Sequence, residues 1–242
     1  MKTQNPTSLI NAGQAFAKIH LSASKDPLRP AMNYVQFSTL PEGPQGPGGL
    51  YAAATDAHTL FWINVSEVLS NSEILPADFY LHADQYKKLT GSKVYLIGCN
   101  QDQKTIQTMD KAGNILDVLP YLDAEGMQNG PGRFPQWTVI LPTSTETQLT
   151  GGQIGLSPKL IGRAAQIMEA GPWIVTFRDA NRAVIVQYVN PEENGTIQGL
   201  IMPVMLHNME EREKDRQSIN AKLVQAYEKA QDRKHTAEAT PE

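Results

Sequence analysis

The most constraining feature of this 242-residue chain is a repeated order of elements along residues 1–207. Hydrophobic periodicity predicts a helix followed by short strands, and this order occurs three times. The second and third copies share the whole order: a short strand, a helix, and a three-stranded meander with turns at similar places. Because one supersecondary unit must account for every copy, such a repeat carries more weight than any single element. The pattern predicts an α+β fold of repeated units, each with one helix packed on an antiparallel β-meander.

Local signals place the individual elements. In the first unit, Thr7 or Ser8 is predicted to cap a helix whose apolar residues recur at helical spacing. In the third unit, Ser157 supplies the cap and Pro158 the first helical position. The second and third helices are predicted at 82–89 and 157–168, and the strands at 33–37, 50–54, 60–65, 79–81, 94–98, 105–109, 115–119, 154–156, 173–177, 183–189 and 199–206.

The composition of the chain changes near residue 208. Residues 208–242 hold 8 acidic and 7 basic side chains and no glycine. Their single narrow apolar stripe predicts a C-terminal helical tail, which either lies against its own domain or makes a coiled-coil contact. We therefore predict a domain of two units at 1–142, a partial second domain with the third unit at 143–207, and a charged tail at 208–242.

Cysteine content and the length of apolar runs indicate the cellular compartment of such a chain. The single cysteine, Cys99, excludes an intrachain disulfide and fits a reducing compartment. The N-terminus lacks the apolar core of a signal peptide, and no apolar run approaches the length of a membrane span. The sequence predicts a soluble, cytoplasmic protein without a membrane partner.

The motifs of common catalytic sites are absent from the sequence. It has no Gly-rich phosphate loop followed by Lys, no Gly-x-Ser-x-Gly elbow, and five scattered histidines without metal-ligand spacing. We predict no catalytic residue, no metal and no cofactor. The enzyme alternative is an acid/base pair of Asp56 and His58, with Glu192 as a further carboxylate, but a structural hydrogen bond is the favoured interpretation of that pair.

The net charge of −4 hides a segregation between helices and strands. The segments 7–29, 82–93 and 157–168 carry eight basic and two acidic side chains, whereas the rest of residues 1–207 carries six basic and fifteen acidic ones. Basic helices on one face could follow a phosphate backbone without reading sequence. The alternative is that Lys and Arg simply solvate exposed helices. The candidate DNA-binding residues are Lys18, Lys25, Arg29, Lys87, Lys88, Lys93, Lys159 and Arg163.

Three segments resemble motifs of one protein family, in that family's order. Residues 54–60, ATDAHTL, resemble the ATDGHRL segment of bacterial β sliding clamps, the β subunits of DNA polymerase III. Residues 132–142, GRFPQWTVILP, resemble the GRFPDY…P strand that closes the middle domain of those clamps, and residues 200–206, LIMPVML, resemble their VMPMRL terminus. The resemblance covers roughly residues 7–206 and identifies the chain as a divergent and truncated relative.

The resemblance implies a fold, a ligand and a partner site. Clamp domains consist of two such units, with sheets outside and helices lining a central hole, so basic helices would hold duplex DNA loosely enough to slide. It also implies a hydrophobic groove in which peptides of the replication polymerase or clamp loader dock, with soft Met and Leu side chains suited to apolar anchors. Carried over by motif, the groove residues are Thr55, Ala57, His58, Thr59, Leu60, Pro142, Leu200, Met202, Pro203, Val204, Met205 and Leu206. An ordinary core strand is the alternative for 200–206.

The chain departs from the clamp motifs at three positions. Ala57 stands where the family has Gly, and Thr59 and Met205 stand where it has Arg, which indicates a different partner sequence. We predict a non-catalytic, clamp-like processivity scaffold that acts in DNA replication as a homo-oligomer. The alternative is a monomeric adaptor or inhibitor that binds clamp partners without encircling DNA.

Overall fold

The computed structural model describes residues 7–8, 16–69, 75–141, 155–168, 173–176, 183–189 and 196–203. These residues all belong to one compact unit, Met1–Val204. The architecture is α+β with antiparallel sheets, as the repeat predicts. The strands are β1 (Thr7–Ser8), β2 (Tyr34–Leu40), β3 (Gly49–Thr55), β4 (Thr59–Asn64), β5 (Asp78–His82), β6 (Leu96–Asn100), β7 (Thr105–Met109), β8 (Ile115–Pro120), β9 (Ile174–Thr176), β10 (Val184–Val189) and β11 (Thr196–Ile201).

Helices in the described residues are short, except for one. The α-helices are α1 (Val65–Val68), α2 (Ala83–Leu89), α3 (Ala124–Asn129) and α4 (Pro158–Met168), and 3-10 helices span Ile19–Ser22, Pro30–Asn33 and Trp137–Ile140. Side-chain caps explain the two that the apolar periodicity missed: Asn64 accepts a hydrogen bond from the Ser66 N–H at the start of α1, and Asp123 accepts one from the Gly126 N–H at the start of α3. No helix in the described ranges is long and apolar enough to cross a membrane.

Strands β1 and β5, from the first and second units, each join the sheet of the other unit. The four-stranded sheet has the order β1-β6-β7-β8, so β1 from the start of the chain extends the second meander. The seven-stranded sheet has the order β5-β2-β3-β4-β11-β10-β9, so β5 extends the first meander at one end. This exchange ties the first and second units together through backbone hydrogen bonds.

The third meander continues the first unit's sheet. Strand β11 pairs antiparallel with β4 over five residue pairs, including Leu200 with Leu60 and Ile201 with Thr59. All six residues of β4 are buried, so this strand has packed side chains on both faces. We refer to the β4–β11 pairing as the seam.

Two hydrophobic cores lie on opposite faces of the seven-stranded sheet, because neighbouring strand residues point to opposite sides. The helix-side core takes Ala52, Ala54, Phe61 and Ile201 from β3, β4 and β11, and receives the helices. The outer core takes Tyr51, Ala53, Leu60, Trp62 and Leu200 from the same strands and is covered by Met127, Phe134, Trp137 and Leu141.

The helix cap predicted in the first unit is wrong. Thr7 and Ser8 do not cap a helix: they form β1 and pair with Ile97 and Leu96, because the edge of β6 satisfies their backbone groups. Residues 9–15 lie outside the described ranges.

The segment 132–141 is not a strand. It runs without sheet pairing into the 3-10 helix Trp137–Ile140. Gly132 has a φ of 103°, and the Trp137 indole N–H donates to Gln36 Oε1 at 3.1 Å, so the segment turns inward to bury the ring. The predicted tail, 208–242, lies outside the described residues.

Candidate functional site

Two of the three motif segments meet at one end of the seam. The turn between β3 and β4 lies beside the residues that follow β11, and the Met202 N–H donates to the His58 carbonyl oxygen at 2.9 Å. This bond continues the ladder of the seam by one residue beyond the pair of Ile201 with Thr59. Residues distant in sequence therefore come together through sheet pairing.

The third motif segment reaches the same place through the outer core. Leu141 is 4% exposed and packs in one buried cluster with Leu60 and Leu200. Thus all three segments contribute to a single hydrophobic cluster. Four predicted groove residues lie outside the described residues: Pro142, Val204, Met205 and Leu206.

Burial divides the remaining groove residues into two sets. Four are buried and support the surface from below: Thr55, Thr59, Leu60 and Leu200. Ala57 and His58 are exposed, Met202 is 42% exposed, and Pro203 is half-buried. We call these last four residues the docking strip, since they are the predicted groove residues that are at least partly exposed.

The conformation of the β3–β4 turn is unusual for an L-residue. Ala57 has a φ of 72°, in the left-handed region that favours glycine. The Thr55 hydroxyl stabilises the turn, since it donates to the Thr59 carbonyl oxygen at 2.8 Å and accepts from the Ala57 N–H at 3.1 Å. The geometry explains why glycine suits this position in the resembling motif.

Asp56 organises the rest of the turn. One carboxylate oxygen, Oδ1, accepts hydrogen bonds from the His58 N–H at 3.0 Å, the Thr59 N–H at 2.8 Å and the Thr59 hydroxyl at 3.0 Å. The other oxygen pairs with the Arg163 guanidinium of α4. Burial raises the pKa of the Asp56 carboxyl, but the hydrogen bonds from Arg163 and the turn lower it more, so the net pKa lies below the usual 3.8.

These contacts give Asp56 a structural role, as the favoured sequence interpretation expects. Its two oxygens are already engaged by the turn and by Arg163, while the His58 ring is exposed. Glu192 lies outside the described residues. Within the described ranges, no group of three or more His, Cys, Asp or Glu side chains is arranged to hold a metal ion.

Two exposed apolar residues near this cluster were missed by motif comparison. Val139 is 74% exposed and Ile140 is 57% exposed, although they immediately precede the buried Leu141 in the chain. The 3-10 helix turns Trp137 and Leu141 inward and leaves these two outside.

The predicted basic residues lie on or beside helical elements that cover the helix-side core. Ile19 of the N-terminal 3-10 helix, Tyr86 and Leu89 of α2, and Ile167 of α4 are all buried in that core. Seven of the eight basic side chains belong to exposed residues, namely Lys18, Lys25, Arg29, Lys87, Lys88, Lys93 and Lys159. We call these seven the basic layer. Arg163 differs, because its side chain is 20% exposed and pairs with Asp56.

The environment of His20 shows that basic charges from two elements act at one point. Burial, together with the positive charges of Lys87 and Lys18, lowers the pKa of His20 to about 4. Lys25 acts in the same direction, and Asp84 opposes them. Within the layer, Lys88 also pairs with Asp117 of β8 at 2.7 Å.

Comparisons with known proteins agree with the fold. No protein-family model and no curated protein matches the sequence. Among solved structures, the β subunit of DNA polymerase from Streptococcus pyogenes has a TM-score of 0.58 and 15% identity, with 84% of this chain and 66% of that chain covered. The β subunit of DNA polymerase III from Thermotoga maritima gives 0.55 and 13%, with 84% and 66% covered.

The Helicobacter pylori β clamp, solved in complex with diflunisal, is similar to the same degree. Its TM-score is 0.58 and its identity 11%, with 85% of this chain and 68% of that chain covered. The chain therefore has the fold of bacterial β clamps, and it spans just under two thirds of the Streptococcus pyogenes and Thermotoga maritima chains.

Proposed function

We propose that this protein is a non-catalytic, sliding-clamp-like scaffold that contacts duplex DNA through the basic layer and docks partner peptides at the docking strip. The observation that carries the proposal is the meeting of the 54–60 and 200–203 segments at the end of the seam, with Met202 bonded to His58. Those are two of the segments that resemble the peptide groove of clamps. The clamp fold and the exposed basic residues support the DNA part.

The basic layer is suited to contact without sequence reading. Lysine and arginine side chains attract phosphates through charge alone, and such contacts allow movement along the duplex. Lys87, Lys88 and Lys159 lie on helices, and Lys18, Lys25, Arg29 and Lys93 lie in the segments beside helices. These exposed cations belong to a chain that is acidic as a whole, with a net charge of −4.

DNA association tests this part of the proposal. Changing Lys87, Lys93 and Lys159 together to Gln removes three charges, so binding to a fluorescent duplex should weaken and its dependence on salt should become shallower. The slope of log K against log salt should fall by about 0.9 for each lost phosphate contact. Fluorescence anisotropy across salt concentrations measures both quantities.

The matched control is Lys111→Gln, an exposed lysine in the turn between β7 and β8 that is not part of the basic layer. This variant loses a charge but should retain the parent's salt slope. Equal slopes in the parent and the triple variant, or no association by the parent at any salt, would contradict DNA contact through the basic layer.

The docking strip is suited to apolar peptide anchors. Met202 offers a flexible thioether side chain, and Pro203 and Ala57 add small apolar surface beside it. Leu60 and Leu200 are buried beneath and fix the backbone on which the strip stands. A fluorescein-labelled peptide from a replication polymerase, carrying adjacent Leu and Phe anchors, is the appropriate probe.

We expect Met202→Asp to weaken binding of this peptide at least tenfold, because the carboxylate must be desolvated against an apolar anchor. The control is Leu28→Asp, which alters an 88% exposed leucine outside the strip. Equal peptide affinity in the Met202 variant and the parent would rule out docking at this strip.

Self-association is also part of the proposal. Strand β8 is an outer strand of the four-stranded sheet, and its Ile115, Leu116 and Val118 are 56%, 40% and 51% exposed. No strand among the described residues pairs with this edge. An apolar strand edge is a template for pairing with another chain, and we propose that a homo-oligomer covers it.

A further inference from the structure

The sequence predicts that Arg163 binds DNA, because it is a cation on a basic helix. The structure gives its guanidinium a different environment from that of the basic layer. Its side chain is 20% exposed, and it pairs with Asp56, whose side chain is 14% exposed. A phosphate would have to compete with this buried carboxylate for the same donors.

The pair is part of a larger hydrogen-bonded network that joins three segments of the chain. Arg163 Nη1 also donates to the Thr59 hydroxyl oxygen at 3.1 Å, and the hydroxyl oxygens of Thr59 and Ser22 lie 2.6 Å apart. Thr59 is 2% exposed and Ser22 is fully buried. Helix α4, the β3–β4 turn and the N-terminal 3-10 helix thus meet at the Thr59 hydroxyl.

Counting protons fixes the direction of these bonds. An ionised carboxylate can only accept, so the single proton of the Thr59 hydroxyl is donated to Asp56. Arg163 can only donate, and Ser22 must therefore donate to Thr59 as well. Each donor in the network has an acceptor, so the network defines one arrangement of the turn.

Loss of Arg163 would leave a buried carboxylate without its cation. A buried charge without a partner is costly, and Asp56 would relieve that cost by turning toward water. Its Oδ1 would then leave the N–H groups of His58 and Thr59, and the left-handed conformation of Ala57 would lose part of its support. The exposed part of the docking strip would change shape while the buried strands remained paired.

We propose that Arg163 is a positioning residue for the docking strip and does not contact DNA. This assignment rests on the proposed function, because it connects Arg163 with peptide docking, whereas its position on a basic helix would otherwise suggest contact with DNA. Specificity for the partner peptide then depends on a side chain from the third unit, which reaches the turn of the first unit. Lys159 lies four residues earlier on the same helix, is exposed, and keeps the DNA role.

The test compares Arg163→Met with Lys159→Met. The Arg163 variant should weaken the labelled polymerase peptide at least fivefold and leave the salt slope for duplex DNA at the parent value. The Lys159 variant should do the reverse, with a shallower salt slope and unchanged peptide affinity. Arg163→Lys should recover part of the peptide affinity, because it restores a cation near Asp56.

Amide hydrogen exchange gives a readout that does not depend on either ligand. In Arg163→Met, exchange at the His58 and Thr59 amides should accelerate at least tenfold, while the Phe61 and Ile63 amides of β4 retain the parent rate. Unchanged exchange at His58 and Thr59, or a shallower DNA salt slope in the Arg163 variant, overturns the assignment. If the parent binds neither ligand, the proposed function fails, and the exchange rates still decide whether Arg163 positions the turn.

Discussion

Ala57 holds a conformation that costs an L-residue about 1–2 kcal/mol, because its Cβ approaches the following carbonyl oxygen. The turn keeps this geometry because the Thr55 hydroxyl accepts a hydrogen bond from the Ala57 N–H and the Asp56 carboxylate accepts one from the His58 N–H. Strain that the surroundings maintain in this way is common at binding surfaces. At Ala57 this conformation turns the chain from β3 into β4.

His20 is a second residue whose environment opposes its ordinary chemistry. Its pKa falls from 6.5 to about 4, first through burial and then through the charges of Lys87, Lys18 and Lys25, against a smaller effect of Asp84. Within the described residues, its Nδ1 atom is buried without a hydrogen-bond partner. The folded protein therefore keeps this ring neutral under conditions in which the unfolded chain would protonate it.

This shift predicts a loss of stability in mild acid. Because the folded pKa lies below the unfolded one, protonation favours the unfolded chain as the pH falls from 6.5 towards 4. The half-exposed ring is screened by solvent, so we expect the free energy of unfolding to fall by about 1 kcal/mol between pH 7 and pH 5. Urea denaturation at the two pH values measures this change.

The control for His20 is a side chain that does not titrate. In His20→Gln, the difference in stability between pH 7 and pH 5 should be smaller than in the parent by that same amount. A parent and variant that lose equal stability between the two pH values would show that another group titrates there.

At the scale of elements, the seam is the contact that builds the candidate site. It places Leu200 opposite Leu60 and carries Met202 to His58. Gly199 lies opposite Phe61 in the same ladder, and the fully buried ring of Phe61 covers the glycine. An added Cβ at this glycine would lie 2.4 Å from the Phe61 ring, so the seam has no room for a side chain there.

Gly199→Ala should therefore destabilise the protein by about 1–3 kcal/mol, because the buried Phe61 ring must shift out of its packed position. Urea denaturation measures the loss. The control is Gly98→Ala in β6, where the nearest atom to the new Cβ is the flexible Met109 Cε at 2.9 Å, and there we expect less than about 1 kcal/mol. Equal stability of the Gly199 variant and the parent would contradict close packing of the seam.

At the scale of the whole molecule, the outer strand β8 of the four-stranded sheet has few of the features that protect a strand edge. Edge strands are commonly guarded by charged residues or proline. In β8 the charge of Asp117 is neutralised by Lys88, and Pro120 stands at the end of the strand. The exposed apolar residues Ile115, Leu116 and Val118 therefore lack an unpaired charge or a proline beside them.

If β8 mediates self-association, Val118→Lys should reduce the mass measured by light scattering to that of one chain, because a buried ammonium without a partner is unfavourable at an interface. Leu28→Lys is the control, since Leu28 is 88% exposed and lies outside the strands. A parent that is already monomeric at micromolar concentration, or a Val118 variant that keeps the parent's mass, would contradict the proposal.

Local sequence patterns were sufficient to predict the α+β class and most of the strands. Periodicity is a local property, so β3, β4, β7 and α4 lie within about a residue of their predicted bounds. The 54–60 and 200–206 motifs could also be found without a structure, because short similar strings can be compared residue by residue along the sequence. The predicted Thr7–Ser8 helix cap was wrong because these residues pair with β6, which is distant in sequence. The strand expected at 132–141 was wrong because the segment turns to bury Trp137, whose indole bonds to the distant Gln36.

Which residues share a site follows from long-range packing and sheet pairing. The sequence could not show that β11 pairs with β4, because sheet pairing depends on the packing of both cores over more than a hundred intervening residues. Nor could it separate Arg163 from Lys159, which are both cations on one helix. Only the position of Asp56 distinguishes them, since a buried carboxylate attracts the cation within its reach.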